Sequence, residues 1–569
     1  MRLELRTMRA LLPRRVRSFT LLALGAASLA VACSSSTGGK NNATDGGAGA
    51  GGGAMNGGDA EPPATLCTVA SQGTSGTLLS GKLLLPAGPT MGELLIDATG
   101  MIVCADASCS SAAGYGAATH IACATGVISP SLINTHDHTD YATTPPDAHG
   151  MTRYQHRSDW RVGAEGATKL PDTKTTDPKV LAAAELRFVL SGATAIVSSA
   201  GVNGLLRNLA AFKTPTQLEG LTGKTTFFDT FPLGDLSGGL ITSGCAYPKI
   251  EAASAAFQDG AYAPHVAEGI NLAAENELTC TSMASNNLIT SNTSIIHGIG
   301  LNAKDVAVVQ AAGARLIWSP RSNISLYGNT ASVTEYHVAG VKIALGTDWL
   351  PSGSMNMLRE LACADSMNQK YFHSTFSDQE LWEMVTSNAA LAAGFDSEIG
   401  SLAAGKVADV AIFDETNNTG YRAVIAAEVE DVRLVLRGGK PLYGDTALVN
   451  ALQNGCTPLP VCGIDRMVCF DVPSVALADA QAAIADIYPL FFCKGQDPTG
   501  EPSCVPYRDS YPNGTSATDR DGDGIADAMD DCPDVFNPVR PMDNNAQSDV
   551  DGDGVGDACD AKPLDPTAH

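Results

Sequence analysis

Basic side chains are scarce in this sequence: 36 Lys and Arg stand against 61 Asp and Glu in 569 residues, a formal charge of −25. Six of them (Arg2, Arg6, Arg9, Arg14, Arg15, Arg17) fall in the first 32 positions with a single acid, Glu4, so the chain beyond carries 30 basic against 60 acidic residues, a charge of −30. A body of that sign repels phosphate backbones and anionic lipid, which excludes nucleic-acid binding through a basic face. A run long enough for a membrane span is missing at the N-terminus. A spanning helix needs about 20 apolar residues, and "FTLLALGAASLAVA", Phe19 to Ala32, has 14. No CxxC pair occurs among the 15 cysteines, which argues against a thiolate metal cluster. Histidine is rare as well, with ten in the whole chain, so where each one falls carries information.

What is present at the N-terminus is an arginine-rich segment, the apolar run and then Cys33, the pattern of a cleavable export signal over residues 1–32. The stretch "LAVAC" resembles a bacterial lipobox, with Ala30 where leucine is usual. That resemblance implies an exported bacterial lipoprotein acylated at Cys33, and Ser34 after it implies the outer membrane or cell surface. Contact with a membrane is then expected through the lipid anchor only. Residues 33–65 are a Gly/Ser/Asn-rich tract that cannot bury apolar surface and reads as a flexible tether. Setting Cys33 aside leaves 14 cysteines, an even number compatible with disulfides in an oxidising compartment.

Residues 66–125 alternate apolar runs with Gly and Pro turns, the pattern of short strands in a small β domain. From 126 to 396 apolar strands alternate with helical segments such as "DPKVLAAAELRFVLSG" and "NAKDVAVVQAAG". Repeated βα units mean a parallel sheet, and this many predict an α/β fold closed as a (β/α)8 TIM-like barrel. Seven strands are legible; the eighth is expected between Ser199 and His265, where periodic signal is poorest.

In "SLINTHDH" the strand period of two aims His136 and His138 at one point. His265 and His297 also end apolar strands, and Asp348 ends "VKIALGTD". At the C-terminal rim of a barrel, three imidazoles and a carboxylate are the donor set of a catalytic divalent metal with an open position for water. Glu268 follows His265 by three residues in "HVAEG" and can face the same pocket. Taken singly, each has a plainer reading: turn histidines for His136 and His138, a satisfied buried histidine for His297, a helix N-terminal carboxylate for Glu268 and a cap for Asp348.

The ordered pieces "SLINTHDH", "HVAEG", "IIHGIGL", "SPRSNISLYG", "GTDW" and "IGSLAAGKVADVAIFD", spread over residues 76–450, resemble the amidohydrolase superfamily and its deaminase and triazine-hydrolase branch. Ser131 departs from the usual glycine. The resemblance implies that residues 397–450 return to complete the β-sandwich domain begun by 66–125. It implies His136, His138 and His265 as metal ligands, Asp348 as ligand and water-orienting base, Glu268 as proton shuttle and His297 as polariser of the attacked bond. It also places Ser322 and Asn323 over a small-molecule substrate; their plainer reading is a turn after the seventh strand. No lysine stands at an identifiable fourth-strand end, so one metal is expected, zinc by default, with iron also suited to the donors. The implied reaction is deamination of a small nitrogen heterocycle; opening of a cyclic amide, as in an imidazolonepropionase-like enzyme, is the variant.

Beyond a Cys-rich linker at 451–515, residues 516–569 repeat D-x-D-x-D-G at 519–524 and 549–554. Between 519 and 560, 13 aspartates face two arginines. Carboxylates two apart around a glycine turn are the hard oxygen donors calcium takes. The candidate ligands are Asp519, Asp521, Asp523, Asp527 and Asp530, then Asp549, Asp551, Asp553, Asp557 and Asp560. The cysteines make the tail resemble thrombospondin type 3 repeats, which implies a Cys532–Cys559 disulfide and a role in spacing or attachment to a cell-surface partner. A calcium-dependent surface binding protein whose barrel has lost activity is the alternative from another functional class.

Overall fold

The computed structural model describes residues 66–146, 150–210, 215–496 and 498–568. The export signal, Cys33 and the whole of the tether therefore lie outside the described residues. A mixed α/β body follows, built from one large sheet and a set of parallel strands interleaved with helices.

Eight parallel strands carry the site: β1 (Leu132–Asp137), β2 (Ala193–Ser198), β3 (Arg207–Asn208), β4 (Phe227–Asp229), β5 (Tyr262–Val266), β6 (Ser294–His297), β7 (Arg315–Trp318) and β8 (Ile343–Leu345). The first three form one parallel sheet and the other five a second. Parallel bridges join the two at both seams, Ala210 with Thr226 and Asp137 with Asp348, so the strand order returns to its start. The strand between Ser199 and His265 that sequence leaves illegible is β3. Two residues long, it has no room for an alternating pattern, which is why periodicity misses it.

Along these strands alternate residues divide between two packing clusters. Ile133, Ala195, Leu209, Ala263, Ile296, Ile317 and Ala344 meet in one. Leu132, Ile196, Ile295, Leu316 and Ile343 join another with the helix Pro178–Leu190. Burial on both faces is why the strands read as continuous apolar runs. The helices begin where the sequence caps them: Asp177 bonds the Lys179 amide ahead of Pro178, Asn302 makes a capping box with Asp305, and Asn356 accepts from the Arg359 amide.

The second layer is a single hydrogen-bonded sheet of ten strands, in which Thr119–Pro130 pairs antiparallel with Val410–Asp414. It extends past residue 450, because Thr457–Pro458 and Arg466–Val468 add two strands from the Cys-rich segment. All 14 cysteines of the described residues are paired, among them Cys363 with Cys504 and Cys532 with Cys559.

The tail departs from a mere spacer. Tyr511, Val535 and Phe536 are buried in the large core cluster, Phe536 N donates to Tyr371 O (2.8 Å), and buried Arg540 donates to the Ile299 and Leu301 carbonyls. Phe536 is the one aromatic residue of 516–569 and does not read as a core in sequence; here it helps complete one.

One buried ion pair ties the two layers together. Arg207 of β3 makes two 2.9 Å bonds to Asp409, which also accepts from Thr194 Oγ1 and the Gly438 amide. Burial alone would raise the Asp409 carboxyl, but Arg207 and these donors hold it below the usual range. A depressed carboxylate stabilises the fold above its unfolded pKa, and that contribution is lost as pH falls through the folded value. Asp409→Ala should cost about 3–5 kcal/mol by leaving Arg207 buried and uncompensated. Denaturant unfolding checks this, and a change under about 1 kcal/mol, the size of an exposed pair, would show that the pair holds nothing.

Candidate metal centre

The β1–β8 seam sets the geometry of the site. His138 N donates to Asp348 O (3.0 Å) and Asp348 N to His136 O (2.9 Å), so the two strand ends are stitched residue to residue. Gly346 permits that approach, since a Cβ there would stand 2.5 Å from His136 Cβ and 2.9 Å from its amide nitrogen. Below the seam, Asn134 and Asp137 both bond Thr347 Oγ1, each at 2.6 Å. His297 and Asp348 have φ of 72° and 64°, left-handed conformations costly for non-glycine residues. Such strain, about 1–3 kcal/mol each, persists where surrounding structure imposes it.

Three imidazoles converge. His136 Nε2 lies 3.1 Å from His265 Nε2 and 3.4 Å from His138 Nε2, and His138 Nε2 lies 3.4 Å from His265 Nε2. Asp348 Oδ1 is 3.5 Å from His136 Nε2 and 3.8 Å from His138 Nε2. The far nitrogens of two rings are engaged: His265 Nδ1 donates to the Asp229 carbonyl (3.1 Å) and His136 Nδ1 pairs with Ser319 Oγ (3.1 Å). The His265 bond settles a tautomer, because a carbonyl only accepts; Nε2 of that ring therefore presents a lone pair to its neighbours.

Burial, and then the neighbouring histidines, hold His136 and His265 well below the usual imidazole pKa, and burial brings His138 down to about 4. Three neutral rings that meet through one nitrogen each can satisfy at most two of the three contacts as hydrogen bonds, because each contact needs one donor and one acceptor. A cation resolves the arrangement. Tetrahedral zinc with Zn–N of about 2.0–2.1 Å implies ligand nitrogens about 3.3–3.4 Å apart; two of the spacings match at 3.4 Å and the third, 3.1 Å, is shorter. The three imidazoles, with Asp348 beside two of them, thus form a donor set that could hold a divalent transition metal.

Around this cluster sit the other groups singled out in the sequence. Glu268 Oε2 lies 3.6 Å from His297 Nε2, while its Oε1 accepts from Tyr327 Oη at 2.8 Å. His297 Nδ1 pairs with Asn323 Oδ1 (3.1 Å). Ser322 Oγ donates to Asp348 Oδ2 (2.6 Å). Ser322 and Asn323 therefore brace Asp348 and His297. Their stretch is the helix Pro320–Tyr327, not a turn, and both side chains are buried.

Sequence reasoning missed Ser319, Tyr327 and Ser352, which touch the site only through tertiary contacts. Tyr327 could have been found: it lies four residues after Asn323 and so on the same helix face. In the loop after β1, His156 caps the helix Arg157–Val162 and faces Glu277, so it packs the loop. Trp160 donates its indole N–H to Tyr327 Oη (2.8 Å) and lies 4.9 Å from Trp349, itself 5.2 Å from Tyr141. Tyr141 in turn is 6.0 Å from His138, which gives the centre an aromatic flank.

Residues 249–456 match the model of the amidohydrolase family. Over 164 residues the chain is 30% identical to the 5-methylthioadenosine/S-adenosylhomocysteine deaminase of Pyrococcus abyssi, 27% of this chain and 38% of that protein. Over 134 residues it is 31% identical to human guanine deaminase, 23% and 30% respectively. The matched stretch thus spans about a third of these curated relatives. Among solved structures, an adenosine deaminase of Xanthomonas campestris with bound zinc aligns at 15% identity over 72% of this chain and 97% of that one, TM-score 0.47. A zinc-complexed atrazine chlorohydrolase of Arthrobacter aurescens aligns at 17% over 64% and 95%, TM-score 0.46.

Ser319→Ala removes the partner of His136 Nδ1 and should lower zinc affinity about 10- to 100-fold, read by competition with a chromogenic chelator. Unchanged affinity would show that the hydroxyl does not orient the ring.

Proposed function

We propose that the eight-stranded ring is the (β/α)8 barrel of a metal-dependent hydrolase of the amidohydrolase superfamily, acting on non-peptide C–N bonds and deaminating a small nitrogen heterocycle. One observation carries this: three neutral imidazoles, Asp348, Glu268 and His297 converge at one end of the parallel strands. The deaminase relatives support the reaction class, and the flank of Tyr141, Trp160 and Trp349 suits a flat aromatic substrate.

His136, His138, His265 and Asp348 would hold one divalent ion, zinc by the donors and the spacing. When bound, such an ion acts as a Lewis acid that lowers the pKa of water toward about 7. Asp348, fixed by Ser322 through one oxygen, keeps the other for orienting the attacking water. Glu268 has Oε1 committed to Tyr327, which leaves Oε2 to carry a proton to the departing nitrogen as the C–N electron pair moves onto it. His297 donates from Nδ1 to Asn323 and presents Nε2 beside that oxygen, so it polarises the bond under attack once Nε2 has taken a proton.

The tail supports a second cation class. In each Asp loop the third and twelfth residues carry a buried oxygen without a partner, Asp521 and Asp530 in one, Asp551 and Asp560 in the other. The first residue of each instead closes its loop, as Asp519 and Asp549 accept from glycine amides. Asp527 and Asp557 bond within the loops, Asp527 to Arg520 and Asp557 to Ser548 and the Val550 amide. Asp519, Asp521, Asp523 and Asp530, then Asp549, Asp551, Asp553 and Asp560, are the donors we assign first to calcium. Seven disulfides fit an exported protein, and we retain lipid anchoring at Cys33 as part of the same reading.

Ammonia release from a panel of aminated heterocycles tests the reaction. Glu268→Gln should retain metal and lose about 100- to 10,000-fold in kcat; His265→Ala should lose metal and turnover together. Wild-type turnover in Glu268→Gln would remove the proton shuttle. Ring opening of a cyclic amide without ammonia would replace deamination by the cyclic-amide reaction.

A further inference from the structure

The helix Pro320–Tyr327 lends one side chain to each of three site groups: Ser322 to Asp348, Asn323 to His297 and Tyr327 to Glu268. Its placement therefore sets the acid, the base and the polarising histidine together. Both of its ends are held from the C-terminal segment. At the start, Arg321 donates to the Pro502 carbonyl (2.5 Å) and pairs with Glu501 (3.2 Å). At the finish, Arg508 Nη1 donates to the carbonyls of Tyr327 (2.6 Å) and Tyr154 (3.0 Å), and Tyr511 Oη to that of Gly328 (3.3 Å). The fit is close, since a Cβ on Gly328, at φ +67°, would stand 2.1 Å from the Tyr507 carbonyl oxygen.

The first Asp loop rests on this same clamp. A Cβ on Gly524 would stand 2.3 Å from the Ser510 carbonyl oxygen and 3.0 Å from Tyr511 Cβ, and one on Gly522 2.7 Å from the Thr515 amide. The loop has little apolar hold of its own, with Met529 81% exposed. Its interior holds the unpartnered oxygens of Asp521 and Asp530, and Asp521 is 1% exposed. A loop of this kind is ordered by its cation. The disulfide Cys363–Cys504 ties the segment that holds the start of the helix to the helix Met357–Tyr371, so that end has a covalently fixed support while the finish rests on the segment beside the loop.

We propose that calcium in the Asp519–Asp530 loop sets the position of the helix Pro320–Tyr327 through Arg508, so that the tail regulates the hydrolytic centre. The inference rests on the reading of both metal sites given above. Arg508 touches neither substrate nor metal and is a positioning residue.

The test uses the full chain with its transition metal retained, as wild type, Arg508→Ala, Arg508→Lys and the double variant Asp521→Asn with Asp523→Asn. Three quantities are read against free calcium: bound calcium per chain, tryptophan emission, and kcat separately from KM. Trp160 is the reporter, since its indole bonds Tyr327, and Trp160→Phe assigns the signal. Raising calcium should shift the emission and raise kcat about 5- to 150-fold, with a smaller change in KM. The double variant should bind one calcium fewer and lose the response. Arg508→Ala should bind calcium as wild type does yet respond no further, with Arg508→Lys restoring part of the response.

Calcium that binds the wild type while emission and kcat stay flat would overturn the proposal. So would an Arg508→Ala response equal to wild type, or no calcium bound at all. Should Arg508→Ala fail to fold, Arg508→Lys and the double variant decide. Absence of any turnover would count against the hydrolase reading alone, because calcium stoichiometry and emission still decide the coupling.

Discussion

Imidazole nitrogens crowded together at hydrogen-bond distance cannot all pair with one another unless something positive lies between them. The Nε2 atoms of His136, His138 and His265 are held in that relation at 3.1–3.4 Å. The Asp229 carbonyl fixes the His265 proton on the far nitrogen, so the near one cannot escape by donating. Burial disfavours protonation as the other escape. Everything else in the molecule either imposes this convergence or uses it.

What imposes it is strand order. Parallel strands deliver their C-terminal ends to one place, and the β1–β8 seam brings His136 and His138 against Asp348 through paired backbone hydrogen bonds. The energy spent on left-handed backbone at His297 and Asp348 is offset by the packing of a large two-layer body. What uses it is a layer of polar side chains. Ser322, Asn323 and Tyr327, from a single helix, each bond one acid or base of the site. A rigid shared support keeps their relative positions within the tolerance that proton transfer demands.

The legible part of this was the part written in local pattern. H-x-H after an apolar run, His and Glu three apart, and a terminal Gly-Thr-Asp each mark a strand end, and seven strands are long enough to show their burial. β3 is two residues long and leaves no trace. Ser319, Ser352 and Arg508 were not legible for a different reason: a lone serine or arginine signals nothing until the fold supplies its partner. Asp527 illustrates the same point, since its position in the repeat suggests a ligand while its bonds to Arg520, seven residues earlier, show only in the fold. The tail's burial against the strand-bearing body was hidden because Tyr511, Phe536 and Arg540 are sparse in their own segment and find their company elsewhere.

The central claim is a single transition metal among His136, His138, His265 and Asp348, and anomalous X-ray scattering above and below the zinc and iron absorption edges tests it directly. The account predicts one strong peak equidistant from the three Nε2 atoms and within ligand distance of an Asp348 oxygen, at one edge only. A folded protein whose crystals, soaked in zinc, show no peak between these rings, or show it bound elsewhere, would contradict the account.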